Sequence, residues 1–241
     1  MHSTAYDEDV AAVYDILLAA EGKDYLAEAL QLVELIDQRR PGSASLFDVA
    51  CGTGEHLRWL APYFEVFGAE PSAPMADRAR AKVPGVDILD HSMAALSPGR
   101  SFDVVTCLFS AVGHLATTAE LDDAVARMAK CLNAGGLLLV EPWIFPEKWT
   151  ARASAIAATV DGMAIARVAR CSRDGEWSEV IEQWIVARND VIDAPVTNVH
   201  RMRLFEFADY TGAFERAGLR VEFDEVGLCG RGLLIGTNTR R

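Results

Sequence analysis

The sequence predicts an α/β fold: a seven-stranded, mostly parallel sheet with a terminal antiparallel strand, an inserted small antiparallel sheet and an N-terminal helical cover. Three observations carry this. Apolar strands and amphipathic helices alternate as far as Glu141. Two of those strands, 102–108 and 136–141, are near-continuous apolar runs, the pattern of strands covered on both faces. After Trp149 the period changes to partial alternation, which suits antiparallel strands.

Two amphipathic helices, 9–19 and 24–39, come first, and Leu26, Leu30, Val33 and Ile36 recur at helical spacing in the second. They precede the sheet, where a cover over a ligand crevice would lie. Strand Ser45–Val49 runs into the tight turn Ala50-Cys51-Gly52-Thr53-Gly54, and a second strand, 64–70, ends at Glu70. Asp48 and Glu70 are 22 residues apart, the length of one βαβ unit. Helix Ala73–Lys82 leads to a short strand at 86–89. Helix 120–131 joins the two apolar strands and stops at the glycine-rich Asn133-Ala134-Gly135-Gly136. Next, 163–171, Trp177–Arg188 and 197–205 read as three antiparallel strands, broken at Arg173-Asp174-Gly175 and Arg188-Asn189-Asp190. Helix 206–217 and a hairpin of Leu219–Asp224 with 232–236 close the chain. One domain over 1–241 is expected, with 1–40 as cover and 150–206 as insert; the length suits a single α/β domain.

Composition narrows the partners. A net charge of −12 argues against a nucleic-acid partner, since phosphate binding needs a clustered basic surface. No apolar run approaches the ~20 residues of a membrane span, and the start of the chain is acidic, so a cytoplasmic protein is expected. The five cysteines are scattered with no CxxC pair, and neither a metal site nor a disulfide framework is indicated.

The glycine turn marks a nucleotide-cofactor loop, and its chemistry selects the cofactor. Leu57 stands where a dinucleotide fingerprint wants its third glycine, and Asp48 puts a carboxylate where a pyrophosphate would sit. A cationic ligand is favoured instead. S-adenosylmethionine carries a sulfonium and an ammonium and no phosphate, and Glu70 is placed to accept from both ribose hydroxyls. Loop, spacing and second acid together indicate a Rossmann-like class I methyltransferase. His114 follows the fourth strand at the carboxyl edge, where the crevice of an open α/β sheet lies, and is the candidate base. His56 and His91 are expected at the surface or on the adenine side, while His200 sits on an alternating strand that aims it at substrate or at solvent.

The resemblance extends further. Residues 48–54, Phe109-Ser110-Ala111-Val112-Gly113-His114, Glu141-Pro142-Trp143-Ile144-Phe145-Pro146-Glu147 and Gly230-Arg231-Gly232-Leu233, with Tyr14-Asp15 and Gly22-Lys23-Asp24-Tyr25, resemble the motifs of the dTDP-amino-sugar N-methyltransferases over nearly the whole chain. Three positions depart: Pro71 stands for their usual Leu, Ile144 for a second Trp, and Ser92 for an Asp that meets the adenine, leaving Ser92, Asp90 or a backbone group to do so. The resemblance implies S-adenosylmethionine as cofactor, S-adenosylhomocysteine as product and a nucleotide-linked amino sugar as substrate. It implies cofactor contacts at Tyr14, Tyr25, Asp48, Ala50, Cys51, Gly52, Gly54, Glu70, Pro71, Ser92, Met93 and Leu108, with Tyr6, Tyr14 and His114 near the reacting amine. Tyr6, Ser110, His114, Trp143 and Phe145 would wall the substrate, and Arg231 would meet its diphosphate, the anionic reason for an arginine between two glycines in an acidic chain. A homodimer is also anticipated. An O-methyltransferase for a small molecule and a cofactor-binding partner subunit without activity remain the alternatives; the first needs no diphosphate anchor, so Arg231 discriminates it.

Overall fold

In a computed structural model the described residues are 8–160, 162–188 and 190–240; Tyr6 lies outside them. Five strands run parallel: β1 (Ser45–Val49), β2 (Glu65–Ala69), β3 (Ile88–Leu89), β4 (Phe102–Cys107) and β5 (Leu132–Val140). The terminal strand β12 (Leu233–Asn238) inserts antiparallel between β5 and β11 (Leu219–Asp224), giving the order β11-β12-β5-β4-β1-β2-β3. The chain moves outward from β1 to β3 and then crosses back to β4. A crevice therefore opens beyond the carboxyl ends of β1 and β4, where the winding reverses.

Alternation within the strands explains why they read as unbroken apolar runs. Phe47, Val49 and Val105 face one layer, where they meet Leu121, Val125 and Met128 of α5 (Thr118–Lys130) and Phe214 of α6 (Phe207–Arg216). Leu46 and Val104 face the other, against α2 (Tyr25–Arg39), α3 (Glu55–Leu60) and α4 (Ala73–Lys82). In α2 the buried stripe is Ala29, Leu32 and Ile36, while Leu26 and Leu30 are exposed. The stripe is thus rotated from the one periodicity suggests, because α2 lies on α3, where a small alanine admits the neighbouring helix.

The inserted sheet holds β6 (Arg152–Val160), β7 (Met163–Asp174), β8 (Trp177–Arg188), the short β9 (Val191–Ile192) and β10 (Val196–Arg203), in the order β10-β8-β7-β6 with β9 on β8. Four long strands replace the three anticipated. The extra one, β6, is rich in alanine and mostly exposed, so it lacks the alternation that reveals a half-buried strand. Helix α1 (Glu8–Ala20) packs on this sheet: Val10, Val13 and Leu17 meet Ile165, Trp184 and Val186. The anticipated stop at residues 133–136 lies within β5, as an irregularity in its register with β4.

Candidate active site

The turn after β1 is built on left-handed backbone at Ala50, Gly52 and Gly54 (φ 58°, 57° and 78°), a region that favours glycine. At Gly54 a side chain would also begin 3.0 Å from the Ala79 Cβ, so glycine lets the turn press against α4. Glu70, just past β2, ties this turn down: its two carboxylate oxygens accept from the backbone N–H groups of Gly52 and Ser72, each at 2.9 Å. Burial raises its pKa in spite of those bonds. The turn is also pinned from above. The Thr53 hydroxyl donates to Asp15 of α1 at 2.6 Å, and Lys82 bridges Asp15 and Glu55 at 2.6 and 2.7 Å.

Ala50, Gly52, Glu70, Pro71, Met93 and Leu108 line one end of a cavity of about 660 Å³. The donor set suits an adenosyl group: a carboxylate keeps lone pairs for a ribose diol after serving two backbone donors, and the remaining wall is largely apolar. Lys82, which reaches the turn, is already shared between the carboxylates of Asp15 and Glu55 rather than held for a phosphate.

Asp48 lies beneath the turn rather than on the cavity. It is 2% exposed and accepts from the Thr106 hydroxyl at 2.7 Å. Burial raises its pKa to about 6, opposed by His56 and by the Thr106 hydrogen bond. His56 is buried, with Nε2 2.8 Å from Glu28 and its ring edge-on to Tyr25, so neither His56 nor Tyr25 lines the large cavity. Burial opposes the charge on Glu28, but hydrogen bonds from His56 and Lys23 outweigh it and hold that carboxyl below its ordinary range.

The other end of the cavity follows β4. Phe109 and Ser110 both adopt left-handed backbone (φ 49° and 67°), a costly choice for residues with side chains, before a 3₁₀ turn at Ala111–His114. Buried contacts hold this strained corner. The Phe109 N–H donates to Glu141 at 2.6 Å and the Ser110 hydroxyl donates to the Pro142 carbonyl at 2.8 Å. Arg231 donates to Ser110 Oγ at 3.1 Å, with its guanidinium 5.0 Å from the ring centres of both Phe109 and Trp143.

His114 opens onto the cavity from this corner, and its ring lies 6.1 Å from that of His200 on β10. Burial pushes both pKa values down to about 4, His200 adding to the effect on His114 and Arg167 to that on His200. Both rings are therefore neutral at pH 7. Tyr14, Trp143 and Arg231 complete this end with Arg152, Arg167 and Glu182 of the inserted sheet.

Cys51, Gly54, Ser92 and Ser110 do not line the cavity, although Cys51, Ser92 and Ser110 each adjoin a residue of its wall. Phe145 is 3% exposed and packs edge-on against Phe207, Tyr210 and Phe223 in the core. Arg152, Arg167 and Glu182 escaped sequence reasoning. The signal was present, since Arg167, Ala169 and Cys171, like Val180, Glu182 and Trp184, alternate onto one sheet face; what the sequence lacks is which face is covered. Among the described residues no group of three His, Cys, Asp or Glu side chains could hold a metal, and no helix is long and apolar enough to cross a membrane.

The methyltransferase domain family matches residues 46–136. The chain is 43% identical to a dTDP-3-amino-3,6-dideoxy-alpha-D-glucopyranose N,N-dimethyltransferase of Streptomyces fradiae, over 96% of this chain and 91% of that protein. It is 41% identical to the dTDP-3-amino-3,4,6-trideoxy-alpha-D-glucopyranose N,N-dimethyltransferase of Streptomyces venezuelae, over 96% and 98%. Among solved structures, Streptomyces venezuelae DesVI superimposes with a TM-score of 0.91 at 40% identity, covering 96% of this chain and 99% of that one. CalS10, an amino pentose methyltransferase from Micromonospora echinaspora solved with S-adenosylmethionine bound, gives 0.87 at 37% identity, covering 94% and 97%.

Proposed function

This chain belongs to the dTDP-amino-sugar N,N-dimethyltransferases, enzymes dependent on S-adenosylmethionine, and from that premise we propose that it methylates the amino group of a dTDP-linked amino sugar in the biosynthesis of an antibiotic deoxysugar. The N,N-dimethylamino sugar is the end product. The observation that carries this reading is a single cavity with the Gly52–Glu70 turn at one end and His114, Trp143 and Arg231 at the other.

Bound S-adenosylmethionine supplies an electrophilic methyl group. Glu70 would accept from the ribose hydroxyls, and Pro71, Met93 and Leu108, on the same end of the cavity, would hold the adenine. Tyr14 and Trp143 exclude water around the amine. The neutral His114 ring has a lone pair to orient the amine or take its proton, a helpful but dispensable service for an amine that also deprotonates in water. Arg231, fixed by Ser110 and two aromatic faces, meets the diphosphate. Beside it lies a smaller cavity of about 400 Å³ whose lining sets Lys23 and Arg231 among Glu21, Asp24 and Glu28; Lys23 pairs with Glu28, so the contact to the diphosphate falls to Arg231.

The acidic balance supports a small-molecule substrate rather than a nucleic acid. A homodimer is part of the proposal, supported by Val168, Ile185 and Val199, which are exposed on the face of the inserted sheet opposite the cavity. The relatives act on sugars that differ in the position of the amine and in their ring hydroxyls, so these two features of the substrate are the open variables. The test is product mass with nucleotide-linked and free amino sugars at equal concentration. Gain of two methyl groups by the nucleotide-linked sugar alone is expected; equal turnover of both, or transfer only to oxygen, rejects the assignment in favour of a small-molecule O-methyltransferase.

A further inference from the structure

We propose that Glu182 selects the substrate by accepting a hydrogen bond from a ring hydroxyl next to the sugar amine, so that the enzyme prefers a hydroxylated amino sugar to its deoxy counterpart. The proposal rests on the amino-sugar reading above and goes beyond it by naming which sugar is taken.

The inserted sheet aligns residues across its strands. Ser154 pairs with Ala169, Ala169 with Glu182 and Glu182 with Asn198, which makes one transverse row on the cavity side. Glu182 is the acid of that row, and the small Ala169 beside it leaves room for a ligand. Its carboxylate lies 3.3 Å from Arg167 on one side and 3.9 Å from His200 on the other, and its side chain is 16% exposed. His200 in turn faces His114 at 6.1 Å. With the amine at His114, the neighbouring ring substituent is carried toward His200 and Glu182. A carboxylate there has lone pairs beyond the one engaged by Arg167, and a hydroxyl can donate to them. A deoxy sugar leaves the same carboxylate desolvated without a new donor, a source of strong discrimination in sites built around a hydroxyl. Arg167 also pairs with Glu21 of α1, so a purely mechanical role as a brace between sheet and cover is the competing reading.

The experiment measures kcat/KM for two dTDP-linked 3-amino sugars that differ only in a hydroxyl at the carbon beside the amine. The enzymes compared are the wild type, Glu182→Gln and Glu182→Leu, with calorimetry of S-adenosylhomocysteine binding as the control for folding. The wild type should favour the hydroxylated sugar by about 10- to 100-fold, the scale of one hydrogen bond to a charged group. Glu182→Gln, which keeps an acceptor oxygen, should retain part of that ratio, and Glu182→Leu should bring it close to one. Equal use of both sugars by the wild type, or a variant that lowers both sugars alike and leaves the ratio intact as a brace would, overturns the role of Glu182 while leaving the N-methyltransferase reading in place. Methylation of neither sugar overturns both.

Discussion

Replacement of Glu70 by Gln or Ala separates the two tasks assigned to this carboxylate. In the protein itself its oxygens accept from Gly52 and Ser72 at 2.9 Å each, so each change loosens the glycine turn from the start of α4. Gln keeps one acceptor oxygen but turns an amide N–H₂ toward a backbone N–H, and Ala removes both acceptors. Hydrogen bonds to charged groups contribute about 1.5–3 kcal/mol each. Loss of the ribose contacts should therefore weaken S-adenosylmethionine or S-adenosylhomocysteine binding in Glu70→Ala by at least the worth of one such bond, about 10- to 150-fold, and less in Glu70→Gln. Titration calorimetry at pH 7.5 reads this directly, and the thermal upshift produced by saturating ligand should shrink in the same order. Burial raises the Glu70 pKa, so wild-type affinity should fall as pH drops through that raised value, while Glu70→Gln should lose this dependence. Affinities of both variants within threefold of the wild type would show that Glu70 does not hold the ribose. Micromolar binding of NAD with no binding of S-adenosylmethionine would remove the cofactor assignment altogether.

Three further outcomes are expected. Asp48 has its pKa raised from 3.8 to about 6, so the folded state favours its protonated form, and the stability this contributes is lost as pH rises through about 6. Asp48→Asn, which can still accept from Thr106, should then gain stability over the wild type, by a few kcal/mol at pH 8 and by less at pH 5; a difference that shrinks as pH rises in denaturant titrations contradicts this. His114→Asn should lower kcat by less than ~10²-fold, and because burial holds the His114 pKa down at about 4, the wild type and the variant should show the same dependence of rate on pH between 6 and 8. Complete inactivity at every pH in a folded, cofactor-binding His114→Asn protein means that the ring does more than orient the amine. Arg231→Ala should raise KM for the nucleotide-linked sugar by about 10-fold or more with a smaller effect on kcat; a change confined to kcat sinks the diphosphate assignment.

The parts of the molecule most legible in its sequence are those whose pattern is local. A strand buried on both faces must be apolar at successive positions, as Leu46-Phe47 and Val104-Val105 are, and a turn of left-handed residues must be rich in glycine, so the parallel sheet and the loop after β1 could be read from neighbouring letters. The spacing of Glu70 was legible for the same reason. Asp48 shows the limit: its letter says carboxylate, but only packing says that Thr106 and the strands enclose it below the loop. Phe145 has the same history, an aromatic in the right motif whose ring the core takes up through Tyr210 and Phe223. The wall of Arg152, Arg167 and Glu182 depends on contacts between strands and on which sheet face α1 covers, and neither follows from a residue and its immediate neighbours.

The cavity draws its two ends unequally from the chain. Everything around Gly52 and Glu70 comes from residues before 109, while the opposite end combines 152–202 with Tyr14, His114, Trp143 and Arg231. The inserted sheet shares no strand pairing with the parallel one, but α1 links them: it packs on Ile165, Trp184 and Val186 and holds the glycine turn through Asp15. A substitution on the sheet face beneath α1 should therefore reach the methyl-donor turn as well as the wall opposite it. Residues 150–206 transplanted between two such enzymes should thus keep S-adenosylmethionine binding only when α1 travels with them.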